Sequence, residues 1–261
     1  MNGGKIRSKA WMLAPFLFFA GVALLVLVWA LMEPRNLIAA FDAHGRSVFE
    51  LSTLPFYAAI IPFVWLKCPF GGSLLRRRIL SLMVTIVVVM AIFKQLDLHN
   101  AALHALYPSL VGEDGSLLPG LLKPNGNPLT GTPFKMRVIT NGGVPLGMKA
   151  IIVFYFAAFF GVFAAGSTYL AARWIKGVFT LKSSAWAIGC MFASGVVVQI
   201  SDRLPAWIRG ATGKSMAGGD EGARALCTAL EEGSEMMLAT FAIIAILYGA
   251  RELLEKEKKN G

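Results

Sequence analysis

The segment LSLMVTIVVVMAIF, Leu80–Phe93, has no polar interruption beyond single hydroxyl residues, and runs of the same kind recur along the chain. They lie at about 11–32, 53–70, 79–93, 150–172, 184–201 and 230–250. A helix rising 1.5 Å per residue needs about 20 apolar residues to cross about 30 Å of hydrocarbon. The pattern therefore predicts an all-α fold, one integral domain built as a six-helix polytopic transmembrane bundle. A membrane β-barrel is excluded, because its strands would alternate apolar and polar positions. The second, third and fifth runs are short, and Leu74 and Leu75 are candidates to extend the third at its inner end.

The connections between the runs are unequal. Two are short, GGSLLRRR and IKGVFTLKS, and act as hairpin links. On the opposite side lie 33–52, 202–228 and the long loop 94–149. In that loop LDLHNAALHALYPSLV reads as a continuation of the third helix, ended by Pro108. Beyond it FKMRVIT alternates before Asn141-Gly142-Gly143, which predicts a β-hairpin at about 134–146 inside a small extracytoplasmic cap. Asp220 is placed to cap the last helix, with Glu221 in its first turn.

Composition agrees with the pattern. The chain is 56% hydrophobic and only 15% charged, against roughly a quarter charged in soluble domains. The charge distribution sets orientation. Of the 25 Lys and Arg, three precede the first run, four lie in 67–78, three in 173–182 and four after the last run. The remaining eleven are spread over the three longer connections, on the side that also holds 12 of the 15 acids, three of them at the start of the last run. The positive-inside rule then places both termini in the cytoplasm of a bacterial-type inner (plasma) membrane. The net charge of +10 is accounted for by topology and anionic inner-leaflet lipid, so membrane lipid, not nucleic acid, is the expected partner. Lys5, Arg7 and Lys9 before the first run resemble a signal peptide, but the run exceeds a signal core and reads as a retained anchor. Cys68, Cys190 and Cys227 fall at three different depths and cannot pair.

The polar residues that break the runs carry the candidate chemistry. Glu231, Glu232 and Glu235 stand in the first turns of the last run; Glu231 and Glu235 share a face, and Glu232 is i, i+3 from Glu235. Counting back from Ala250 places them in the outer third of the span. Isolated carboxylates there cost roughly 2.5–3.5 kcal/mol each, so partners are required. The third run supplies Lys94, Asp97 and His104 on one stripe if its helix continues outward, and the fifth supplies Asp202 and Arg203. His99 points away from that stripe, and His44 is a lone loop residue.

Three readings of this cluster stand open. Asp97, His104, Glu231 and Glu235 are suitable ligand types for a divalent metal, which would activate water for hydrolysis or transfer on a lipid or lipid-linked group. The same residues would serve as a relay in a proton- or cation-coupled transporter. Alternatively, they form a buried ion-pair network that fixes helix register. Polar groups deeper in the spans are few, Thr85, Ser167 and Thr168, and no inverted repeat accompanies them, which weakens transport. No nucleophile motif, phosphate-binding loop or dinucleotide fingerprint is present.

Overall fold

A computed structural model describes residues 9–41, 47–96, 98–113, 116–118, 121, 129, 133–134, 136–212 and 221–260. A 3-10 turn at Lys9–Met12 leads into α1 (Leu13–Leu31), followed by α2 (Pro34–Phe41), α3 (Val48–Lys67) and α4 (Leu74–Gln95). Then come α5 (Leu98–Leu106), α6 (Met136–Ile139), α7 (Leu146–Val178), α8 (Ser183–Thr212) and α9 (Glu221–Asn260). Five helices are long and apolar enough to cross a membrane: Lys9–Leu31, α4, α7, α8 and Glu221–Lys259. The apolar stretch of α3, Leu51–Lys67, is shorter, in line with the brevity of its sequence run.

Helix α9 is the axis of the bundle. It packs along α8 and is flanked by α1, α2 and α3, while α3, α4, α7 and α8 follow one another around the remaining side. Small residues make the close approaches. A side chain on Gly233 would collide with Leu25, and one on Gly21 would meet Met237 Sδ at 2.5 Å. Lipid tails are as apolar as leucine, so packing of this kind is what holds helices together inside a bilayer. Phe241, Leu37 and Phe41 fill the core between α1, α2 and α9. Phe16, Phe19, Phe154 and Phe160 face outward from α1 and α7, as lipid-facing side chains do.

The first turn of α8 is fastened by α9. Ser184 donates its backbone N–H (3.0 Å) and its hydroxyl (2.6 Å) to the two Glu252 oxygens. A carboxylate at a helix N-terminus satisfies orphan donors and meets the positive end of the helix dipole. Glu252→Ala is expected to lower stability by about 0.5–2 kcal/mol, the usual cost of a lost cap, measured as the thermal midpoint in detergent.

Three sequence expectations are corrected here. The third helix does not run on to Pro108: α4 ends at Gln95, Leu96 leaves helical geometry (φ −87°, ψ 4°), and α5 restarts at Leu98. The alternation in FKMRVIT does not give a hairpin strand. Met136–Ile139 form a helical turn, and Asn141 Oδ1 accepts from Gly143 N at 2.8 Å in a side-chain turn, which satisfies the backbone without a partner strand. Among the described residues the β pairing is a single bridge, Val111 to Leu117. The helix of the fifth run continues past Ser201, through Pro205, to Thr212. Around the bridge, Leu103, Leu121, Leu129, Val138, Val144 and Met148 form a separate apolar core, which fastens α5 and the loop over the start of α7.

Candidate functional site

The site is built where α3, α4 and α9 meet. Glu235 Oε1 accepts from Lys94 Nζ at 2.9 Å. Glu235 is buried, and its helix neighbours pack on α1, Gly233 at Leu25 and Met237 at Gly21. The glutamate thus stands between the two α9 positions that meet α1 at Gly21 and Leu25. Lys94, the penultimate residue of α4, brings the long flexible stem needed to reach it. The two partners differ in environment: the Glu235 side chain is 11% exposed and that of Lys94 62%. The acid is the buried anchor, and the lysine side chain that reaches it is largely exposed.

The i, i+4 and i, i+3 spacing of the acids has its expected effect, since Glu231 and Glu232 both lie in electrostatic reach of the same ammonium. Tyr57 on α3 donates its hydroxyl to the Glu235 backbone carbonyl at 3.3 Å and sits in the field of Glu232 and Glu235. From α7, Tyr155 stands in the field of Lys94. It carries His99 stacked on its ring at 5.8 Å, with Phe134 against both at 4.8 Å. Below, toward Lys67 and Leu74, the helices close on Ile60, Val64, Val88, Ala239 and Ile246, all buried. The polar groups past that layer are engaged locally: Trp65 Nε1 donates to Thr85 Oγ1 (3.0 Å), Thr85 to the Ser81 carbonyl (2.9 Å), and Thr168 to the Ala164 carbonyl (2.8 Å).

Of the residues proposed from sequence, the structure brings Lys94, Glu231, Glu232 and Glu235 together. His104 is not among them. The helix breaks after Gln95, and the His104 Nδ1 is committed to the Val111 carbonyl at 2.7 Å, beside the bridge to Leu117. Asp202 and Arg203 do not close the set either. They pair with each other at 3.3 Å on the exposed face of α8, where adjacent residues meet without crossing to another helix. Asp97 and His44 lie outside the described residues. The four-residue metal set is thus not assembled as expected, and among the described residues no three His, Cys, Asp or Glu side chains converge closely enough to hold a metal ion. Tyr57, Tyr155 and His99 were missed. A lone hydroxyl in the apolar run LPFYAAII was the available signal for the first; the other two meet through ring stacking between α5 and α7, which spacing along one helix does not announce.

These features define a class: a helical chain with five membrane-length apolar helices, compatible with a multi-pass membrane protein, with a charged site within the bundle. Comparison with known proteins carries the identification no further, since no family model, no curated protein and no solved structure matches the chain.

Proposed function

We propose that the chain is a six-span inner-membrane protein with both ends in the cytoplasm. Its outward-facing site, Lys94 with Glu231, Glu232 and Glu235, binds a cation together with a lipid or lipid-linked group. Val48–Lys67, at 20 residues, is the sixth span, and the clustering of Arg76–Arg78, Arg173 and Lys256–Lys259 at one end supports the orientation. The observation that carries the reading is the asymmetry of the central pair. A sealed structural salt bridge would bury both side chains, whereas here Glu235 is buried and much of the Lys94 side chain is exposed. A divalent metal is the cation to test first, because carboxylates are suitable ligands and Asp97 is three residues from Lys94. His104 is no part of this set. The apolar layer under the site and the local bonding of Thr85 and Thr168 favour a pocket over a transport path.

The test is titration of detergent-purified protein with Mg²⁺, Mn²⁺ and Zn²⁺, read as thermal midpoint, for wild type, Glu231→Gln and Glu235→Gln. One of the ions is expected to raise the wild-type midpoint by a few degrees, with apparent affinity about tenfold or more weaker in Glu231→Gln. Equal responses in wild type and both variants, or none, would remove the cation site. The direct 2.9 Å contact favours a second reading, an ion pair that fixes the register of α4 on α9.

A further inference from the structure

We propose a second site, independent of the first: a phosphate-binding notch for a phospholipid headgroup where α1, α2 and α9 meet. Helix α2 is amphipathic, with Leu37 and Phe41 buried one turn apart and Arg35 and Asn36 turned outward. Its inner face is pinned to α9. The junction is locked by Trp29, whose Nε1 donates to the Gly222 carbonyl at 2.8 Å. Between the two helices lies a shallow, open notch lined by Arg35, Ile38, Ala39, Glu221 and Arg224.

The lining holds two guanidinium groups and one carboxylate. Glu221 Oε2 meets Arg35 through Nε, at 3.3 Å. A guanidinium offers five N–H donors in a planar fork, so that contact orients Arg35 while using one of them. Arg224, three residues from Glu221, stands on the same face of α9. Paired arginines suit the tetrahedral oxygens of a phosphate, which they grip in bidentate fashion better than lysine would.

Depth selects the source of that phosphate. Helix α1 runs 19 residues from Leu13 to Leu31, about 28 Å at 1.5 Å per residue, close to one hydrocarbon thickness. Arg35 follows one turn beyond, at headgroup level, and Trp29 occupies the interfacial position that indoles favour. Ile38 and Ala39 give the notch an apolar wall for the glycerol and upper acyl carbons of a lipid already in the leaflet. A soluble phosphate has no use for that wall.

The test titrates the full chain in neutral detergent with phosphatidylglycerol, with diacylglycerol and with inorganic phosphate, following the thermal midpoint. Wild type is expected to gain a few degrees with phosphatidylglycerol and nothing with diacylglycerol. The double variant Arg35→Gln/Arg224→Gln is expected to need about tenfold more lipid for the same gain, while Lys149→Gln, a control cation at the start of α7, keeps the wild-type response. If Lys149→Gln weakens the response as much as the double variant, the effect is diffuse surface charge and the notch is overturned. A gain of equal size with inorganic phosphate, lost in the double variant, would overturn the lipid assignment. If the double variant fails to fold, Arg224→Lys, which keeps the charge but loses the fork, must still lower the apparent affinity. An unchanged affinity there contradicts the site.

Discussion

Lys94→Met is expected to destabilise the protein more than Glu235→Gln. Removing the ammonium leaves an 11%-exposed carboxylate side chain with its 2.9 Å donor gone, beside Glu231 and Glu232. Removing the carboxylate's charge leaves a lysine whose side chain is already 62% exposed and has a flexible stem. Breaking a fully buried pair costs about 3–5 kcal/mol and an exposed one about 0–1 kcal/mol. The mixed environment therefore puts Lys94→Met at about 2–3 kcal/mol and Glu235→Gln at about 1–2 kcal/mol. Thermal midpoints in one detergent check the order. The exchange Lys94→Glu/Glu235→Lys separates the two functional readings: a register-fixing pair requires that stability and any phenotype return together, whereas a ligand site requires that stability return without cation binding.

The second large effect lies in packing. Gly233→Val places a branched side chain where Leu25 of α1 already sits. Hydrophobicity does not compensate in lipid, because the displaced surface finds an equally apolar solvent, so the cost is lost contact and strain, about 1–3 kcal/mol. Leu25→Ala in the same chain is expected to recover much of that loss by vacating the space. If Gly233→Val unfolds at the wild-type midpoint, α1 does not pack on α9 at this level.

The contrast between these two predictions shows what the pattern of residues made legible and what it did not. Helix positions follow from apolar runs, because the bilayer requires every backbone group to be satisfied within its own segment. The meeting of α4 with α9 at Lys94 and Glu235 was also readable, since charges at membrane depth need partners and both residues fall toward the same end of the bundle. His104 was not. Its assignment assumed one straight helix from Ile79 to Pro108, whereas α4 ends at Gln95 and the His104 ring nitrogen is taken by the Val111 carbonyl. Asp202 and Arg203 failed for another reason: complementary charges next to each other in sequence can satisfy one another without leaving their own helix. The hairpin expectation rested on alternation over a few residues, a signal too short to outweigh local Asn141 bonding. Tyr155 and His99 reach the site through tertiary stacking, which spacing along one helix does not encode.

The most direct measurement of the central claim is proximity cross-linking between α4 and α9. In a chain with Cys68, Cys190 and Cys227 replaced by alanine, Lys94→Cys and Glu235→Cys are introduced together and treated with a short thiol-bridging reagent. Ser184→Cys with Glu252→Cys, at the other end of the bundle, serves as the control. The account predicts efficient cross-links in both pairs. A folded protein that links only the control pair would separate Lys94 from Glu235 and contradict the proposed site.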